Sequence, residues 1–69
     1  MTPTYPVGTK FMRTYGKVKR ECVVTDYHVT RNLAGEIVRE RYVATHEFLG
    51  QQIEESDIVE TTIARGLIK

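Results

Sequence analysis

The two histidines and the single cysteine are the side chains most suited to metal or nucleophilic chemistry. They are His28, His46 and Cys22. A structural zinc site needs four clustered ligands that usually include a close Cys or His pair, and this chain has no such spacing. Cys22 and His28 would lie roughly 20 Å apart on one continuous strand. The sequence therefore predicts neither a metal site nor a cysteine–histidine catalytic pair.

The acidic residues and the glycines add no catalytic pattern. Glu54, Glu55 and Asp57 are close in sequence, but they fall on a predicted surface turn where carboxylates are solvated. No glycine-rich segment has the spacing of a phosphate-binding loop. Cys22 lies within a predicted strand, where a buried and unreactive thiol is expected. We expect a protein that is not an enzyme and that has no catalytic residue and no cofactor.

Basic and aromatic side chains are the remaining candidates for a binding site. Small β-barrels that bind nucleic acids combine aromatic stacking with Lys and Arg contacts to phosphates. A formal net charge of only +1 falls short of the strongly basic surface that such binding favours. The candidate partner-binding residues are Tyr15, Lys17, Lys19, Arg20, Arg31, Arg39 and Arg41.

Two functional hypotheses follow from this composition. The first is a small interaction module that binds a protein partner, because such binding requires neither a strong net charge nor a catalytic pattern. The alternative is a nucleic-acid-binding small β-barrel that uses Lys17, Lys19, Arg20 and Arg31. Self-association as a homodimer, through an N-terminal arm, is compatible with the first hypothesis.

Charge is unevenly distributed along the chain. Residues 1–46 carry eight Lys or Arg and four acidic residues, a net of +4, whereas residues 47–69 carry two and five, a net of −3. These segments either form separate basic and acidic surfaces or interleave and cancel. The sequence leaves both arrangements open.

Two long β-type segments must position these side chains. Residues 21–30 and 36–48 are rich in β-branched and aromatic residues and are separated by a turn at 31–35. A four-residue loop from Asn32 to Gly35 gives the cleaner separation of apolar and polar faces. It predicts the pairs Val29–Val38, Thr25–Tyr42 and Val23–Ala44 on one face, and Asp26–Arg41 and His28–Arg39 on the other.

The segment from 55 to 66 carries mixed signals. Asp57 with Glu60 matches a capping box and Gly66 suits a helix C-terminus, whereas the β-branched residues between them favour a strand. We expect one helical turn near 55–59 followed by a final strand at about 60–65. A continuous helix at 57–66 is the alternative.

These elements predict a mainly β fold, a small five-stranded SH3-like barrel with a short helical turn before the last strand. The alternative is a β-meander with a C-terminal helix at 57–66. Residues 1–7, which include Pro3 and Pro6, form an extended arm, and residues 8–69 form one domain. The predicted core is Val7, Phe11, Val23, Thr25, Tyr27, Val29, Val38, Tyr42, Ala44, Ile53, Ile58 and Ile63, with Cys22, Val24 and Val43 near the closing seam.

The chain has the features of a cytoplasmic protein without a membrane partner. No apolar stretch approaches the roughly 20 residues that span a bilayer. The N-terminus lacks the basic and apolar regions of a signal peptide. A lone cysteine among 69 residues agrees with a reducing compartment.

Four segments of the chain carry a resemblance: Tyr5-Pro-Val-Gly-Thr-Lys-Phe11, Arg41-Tyr-Val-Ala-Thr-His-Glu-Phe48, Gly50-Gln51 and Thr61-Thr-Ile-Ala-Arg-Gly66. They resemble segments of short uncharacterised proteins from bacteriophages and bacterial mobile elements, and the resemblance covers nearly the whole chain. It implies only a bacterial or phage context and assigns no catalytic or binding residue. Under the first hypothesis, the chain would be a phage or mobile-element accessory protein that modulates a host factor.

Overall fold

Residues 4–68, the part of the chain that the computed structural model describes, form an antiparallel sheet followed by one helix. The sheet has four strands whose spatial order is their order in the chain, so the fold is a β-meander. The elements are β1 (Lys10–Tyr15), β2 (Val18–Arg31), β3 (Ile37–Phe48), β4 (Gln51–Ile58) and α1 (Glu60–Gly66). The mainly β class is confirmed.

The turns between strands divide the sheet into two ends. The β1–β2 and β3–β4 turns lie at one end, and the long β2–β3 hairpin turns at the other. In the β3–β4 turn both Leu49 (φ 51°) and Gly50 (φ 78°) have positive φ. Positive φ at both central residues is typical of the two-residue turn whose twist matches the flanking strands.

The tip of the β2–β3 hairpin is organised by Asn32. Its side-chain oxygen accepts hydrogen bonds from the backbone N–H groups of Ala34 and Glu36, each at 3.0 Å. Its backbone N–H donates to the Glu36 carbonyl, also at 3.0 Å. This side-chain-to-backbone pattern is the reason that Asn suits such a turn. Leu33, between these contacts, is fully exposed.

The predicted register of the long hairpin is wrong: Arg31 lies opposite Ile37 instead of Glu36, and the ladder is interrupted at Val38 in β3 and by a bulge in β2. Val24 lies opposite Ala44, and the next pair along β2 is Asp26 with Val43, so Thr25 is an extra residue. A bulge shifts all later side chains to the other face of the strand. Sequence alternation alone does not reveal such an insertion.

The observed register also replaces the predicted pairs on both faces. Tyr27, rather than Thr25, lies opposite Tyr42. Arg41 lies opposite His28 instead of Asp26. The exposed Asp26 carboxylate instead lies 3.4 Å from Nε2 of His28 on its own strand.

The core is smaller than predicted, and the predicted seam residues are part of its centre. Val7 and Val38 are 67% and 60% exposed and Thr25 is also exposed, so their assignment to the core is wrong. Tyr27, Val23, Val29 and Ile53 are only half-buried. The buried apolar residues are Phe11, Cys22, Val24, Tyr42, Val43, Ala44, Ile58 and Ile63.

The predicted order of helix and strand after residue 55 is wrong. β4 continues to Ile58, and the segment predicted as a fifth strand is α1, which agrees with the alternative of a meander plus a C-terminal helix. The N-cap is Val59, which has no side-chain capping bond, so Asp57 and Glu60 do not form the predicted capping box. Ile63 is fully buried against the core, and this tertiary packing outweighs the weak helix propensity of β-branched residues.

The sheet is open, so the predicted five-stranded SH3-like barrel is wrong. After α1 the chain returns to the edge of β1, where Phe11 and Leu67 form a single antiparallel bridge. The Ile68 N–H donates to the Lys10 carbonyl at 3.1 Å. This contact is too short to count as a fifth strand. No helix within residues 4–68 is long and apolar enough to cross a membrane.

The N-terminal arm, as far as residues 4–7 show it, packs on the core. The ring of Tyr5 lies edge-on to that of Tyr42, with centroids 6.1 Å apart. The Tyr5 N–H donates to the Tyr42 hydroxyl at 3.4 Å. Pro3 and the rest of residues 1–3 lie outside the described residues.

Candidate functional site

Only half of the core-bearing sheet face is covered. Ile63 of α1 and Tyr5 of the arm pack over the half that contains Phe11 and Tyr42. The half next to the β1–β2 and β3–β4 turns is open and forms a cleft of about 500 Å³. The cleft is lined by Tyr15, Val18, Arg20, His46, Phe48, Ile53 and Glu55.

The floor of the cleft is a hydrogen-bonded network centred on the Glu55 carboxylate. The Tyr15 hydroxyl donates to Glu55 Oε1, and Arg13 Nη1 donates to Glu55 Oε2 at 2.6 Å. The guanidinium of Arg13 also lies 5.2 Å from the Tyr15 ring centroid. Both carboxylate oxygens are therefore occupied, and the charge of Glu55 is neutralised within the floor.

This network joins the two edges of the sheet. Arg13 and Tyr15 belong to β1 and Glu55 to β4, which are the outermost strands. In a flat sheet these strands would lie about 14 Å apart. The sheet therefore curls around the cleft, and the Arg13–Glu55 pair holds that curvature.

His46 and Cys22 lie beneath Tyr15. His46 is only 8% exposed, and its Nδ1 lies 3.4 Å from both the Tyr15 hydroxyl and Glu55 Oε1. Its ring centroid is 4.9 Å from that of Tyr15. Cys22 Sγ is 3.9 Å from the same hydroxyl. Val23 lies opposite Thr45, so continuation of the same register places Cys22 beside His46.

Burial favours the protonated forms of the Tyr15 hydroxyl and the Cys22 thiol. Desolvation, followed by the hydrogen bond to Glu55, raises the pKa of Tyr15 well above its ordinary value. Desolvation also raises the pKa of the Cys22 thiol, against a smaller lowering by the Tyr15 hydrogen bond. A neutral phenol and a neutral thiol are poor nucleophiles at neutral pH. Neither group is activated for nucleophilic attack, and the network acts as a rigid support for the cleft.

The outer wall of the cleft combines an aromatic ring with a cation. The guanidinium carbon of Arg20 lies 4.4 Å from the Phe48 ring centroid, a cation–π contact. Val18 and Phe48 are 48% and 42% exposed, and Leu49, beside them in the turn, is 87% exposed. The wall therefore presents an apolar surface to solvent at this end of the sheet.

The seven predicted partner-binding residues do not form one patch. Tyr15, Lys17, Lys19 and Arg20 lie at the end of the sheet that contains the cleft, whereas Arg31, Arg39 and Arg41 lie toward the hairpin tip. Arg20 and Arg31 are eleven positions apart, which corresponds to about 36 Å of strand. Of the first group, Tyr15 and Arg20 line the cleft. Strand alternation directs Lys19 to the other face, where it lines a separate surface depression with Val23 and Thr45.

The arginines near the hairpin tip have local partners. Arg39 pairs with Asp57 at 3.3 Å. Arg41 Nη1 donates to the Glu40 carbonyl at 2.6 Å, and Arg31 Nη1 donates to the Gly35 carbonyl at 2.9 Å. These contacts hold the three arginines in their own part of the sheet, away from the Lys17–Arg20 segment.

Sequence reasoning missed most of the cleft. The sequence does not indicate Arg13, Phe48 or Glu55 as binding residues, and it suggests His46 only as a possible metal ligand. Arg13 and Tyr15 share a face with Phe11 by strand alternation, which is a signal that the sequence does contain. The contact between Arg13 and Glu55 spans 42 positions and depends on the curl of the sheet, which no local pattern contains.

Two negative findings complete the description of the site. Within residues 4–68, no group of three or more His, Cys, Asp or Glu side chains is arranged to hold a metal ion. No family model, curated protein or solved structure matches this chain. The resemblance to phage and mobile-element proteins therefore stays a prediction.

Proposed function

We propose that this chain is a small interaction module that binds an extended segment of a protein partner in the cleft. The observation that carries the proposal is the apolar wall, in which the partly exposed Val18 and Phe48 line an open volume and Leu49 is exposed in the turn that follows Phe48. Adjacent exposed apolar side chains that border a cleft are typical of interaction sites. A partner side chain that enters the cleft would bury Phe48 and Ile53.

The backbone at Leu49 supports the proposal. Leu49 is the single non-glycine residue with positive φ in residues 4–68, and it is almost fully exposed. Asn or Gly would adopt this conformation at a lower cost in free energy, because a bulky side chain is disfavoured at positive φ. A strained position that exposes a large apolar side chain is better suited to binding than to folding.

The rigid floor also favours binding. Tyr15, Glu55 and Arg13 are fixed by mutual hydrogen bonds, so the shape of the cleft exists before a partner arrives. A preformed site loses little conformational entropy when it binds. Both Glu55 oxygens already accept hydrogen bonds within this network and the carboxylate is paired with Arg13, so the floor contributes shape more than charge.

Nucleic-acid binding is the second candidate function, favoured by the Arg20–Phe48 cation–π contact and by Lys17 in the turn before β2. Phe48 offers a ring for base stacking and the two cations offer phosphate contacts. Against this, Arg31 lies at the far end of the hairpin and the net charge is only +1. Titration with oligothymidylate at about 50 and about 200 mM salt tests this candidate, since phosphate binding weakens steeply over that range.

A peptide-display selection tests protein binding and does not require an identified partner. Random linear peptides are selected on the folded wild-type chain and then compared on Phe48→Ser and Leu33→Ser. Both variants remove one exposed apolar side chain, but only Phe48 lines the cleft. We expect enriched peptides that bind Leu33→Ser as well as wild type and lose binding to Phe48→Ser. No enrichment, or equal loss in both variants, would contradict the proposal.

A further inference from the structure

We infer that the partner segment carries an acidic side chain two residues from its apolar anchor, and that Arg20 binds this carboxylate. The inference rests on the proposed function, because it specifies the chemistry of the segment that the cleft accepts. It is carried by the geometry of Arg20, by the charges around the cleft and by the spacing of an extended chain.

Arg20 is held in position but its donors are largely free. Its guanidinium carbon lies over the Phe48 ring, and Nη1 has one long hydrogen bond, 3.5 Å, to the Glu47 carbonyl. A guanidinium has five N–H donors in a planar fork that matches a carboxylate. The bond to Glu47 is the single side-chain hydrogen bond of Arg20 within residues 4–68, so most of these donors remain available. Arg20 is therefore preorganised for a bidentate contact with an incoming carboxylate.

No carboxylate within residues 4–68 forms an ion pair with Arg20. Glu55, the carboxylate that lines the cleft, is already paired with Arg13 at 2.6 Å. Glu21, the residue after Arg20, is paired with Lys10 at 3.8 Å on the opposite face. The lining of the cleft thus offers the unpaired positive charge of Arg20, which an acidic segment complements.

The position of Arg20 on the wall sets the spacing of the motif. Arg20 and the apolar residues Val18, Phe48 and Ile53 line the same cleft. In an extended segment, residues i and i+2 point to the same side and lie roughly 6.6 Å apart. An apolar residue seated against Phe48 therefore places the side chain two positions away beside Arg20. The expected motif is a large apolar residue, any residue, then Asp or Glu, in either chain direction.

Four peptides of equal length test the motif. Three have blocked termini and contain a central Leu-Ser-Glu, Leu-Ser-Gln or Leu-Ser-Lys. The fourth contains Leu-Ser-Gln and has a free terminal carboxylate shortly after it. Dissociation constants are measured by fluorescence anisotropy at about 50 mM salt. We expect the Glu peptide to bind about 5- to 10-fold more tightly than the Gln peptide, and the Lys peptide to bind most weakly.

Substitution of Arg20 separates this inference from the proposed function. The Arg20→Gln variant should bind the Glu peptide no more tightly than it binds the Gln peptide. The Arg31→Gln variant, which loses the same charge near the hairpin tip, should bind both peptides with wild-type affinity. Arg20→Lys should recover only part of the preference, because an ammonium lacks the planar fork.

The outcomes are distinct. If the wild type binds the Glu and Gln peptides equally and Phe48→Ser binds neither, the acidic motif would be overturned and the proposed function would stand. No binding by any peptide would overturn both. Tight binding of the free-terminus peptide alone would show that Arg20 receives a chain-terminal carboxylate, and would overturn the inference of an acidic side chain. Tighter binding of oligothymidylate than of the Glu peptide would also overturn it.

Discussion

Gly66, the last residue of α1, lies directly against the backbone of Met12 in β1. A Cβ atom at position 66 would come within 1.8 Å of the Met12 carbonyl oxygen. The obstruction is main chain and not a flexible side chain, so it cannot rotate away. This close approach lets α1 cover its half of the sheet and brings Leu67 to its bridge with Phe11.

Gly66→Ala should therefore weaken the attachment of α1 to the sheet. We expect a loss of about 1–3 kcal/mol in the free energy of unfolding, the usual cost of forcing extra volume into a packed contact. Urea denaturation followed by circular dichroism measures it. Ala64→Gly, an exposed change in the same helix, should cost no more than about 1 kcal/mol. A Gly66→Ala variant as stable as wild type would contradict the close contact.

Leu49→Asn should stabilise the chain and weaken its binding. Asn tolerates the positive φ of the β3–β4 turn better than Leu, so we expect a gain of up to about 1 kcal/mol in unfolding free energy. Peptides selected on the wild type should bind the variant less tightly, because an exposed apolar side chain beside the cleft is lost. Leu33→Asn, at a position without positive φ, is the matched control and should change neither quantity. A destabilised Leu49→Asn variant would contradict the turn geometry.

Tyr15 should make the fold sensitive to alkaline pH. Its pKa is raised by burial and by the bond to Glu55, so the folded chain holds this proton more tightly than the unfolded chain does. The stabilisation is complete below the unfolded pKa of about 10 and is lost as pH rises above it. We expect unfolding free energy to fall across this range in the wild type.

Tyr15→Phe removes the group that titrates and isolates its contribution. The variant should lose about 1 kcal/mol near neutral pH, where the hydrogen bond to Glu55 is missing, and its stability should decline less steeply above pH about 10. Urea melts at several pH values, with tyrosinate absorbance recorded in parallel, measure both effects. Identical alkaline slopes in wild type and variant would show that Tyr15 is not the responsible group.

Cys22 should be unreactive in the folded chain. Its thiol is 1% exposed and its pKa is raised by burial, so both access and the thiolate fraction are low. Alkylation by iodoacetamide should be much slower than for a short cysteine peptide, and should accelerate with urea below the unfolding midpoint as local openings become more frequent. Native alkylation at the peptide rate would contradict this burial.

The local elements of the fold were largely predictable from the sequence, and the way they close was not. Alternation and turn residues located the long hairpin because strand pairs and tight turns are local features. The bulge at Thr25 changes the face of the sheet on which each later side chain of β2 lies, and no residue type at this position signals a bulge. The helix at 60–66 forms because Ile63 packs into the core, a long-range effect that outweighs β propensity.

The cleft was only partly predictable for the same reason. Tyr15 and Arg20 were candidates because aromatic and basic residues near a turn suit binding. Glu55 was assigned to a solvated turn, yet it pairs across the whole sheet with Arg13. That pair exists only because the sheet curls, and the curl depends on the bulges and twist of all four strands together.

The central claim is that the open half of the sheet face is the docking surface. Its most direct test is a ¹H–¹⁵N correlation spectrum of the wild-type chain titrated with the blocked Leu-Ser-Gln peptide, which carries the apolar anchor without the acidic group. We expect shift changes at Tyr15, Val18, His46, Phe48 and Ile53, and none at the hairpin tip, residues 31–36. Shift changes centred on the tip, or none at saturating peptide, would contradict the claim.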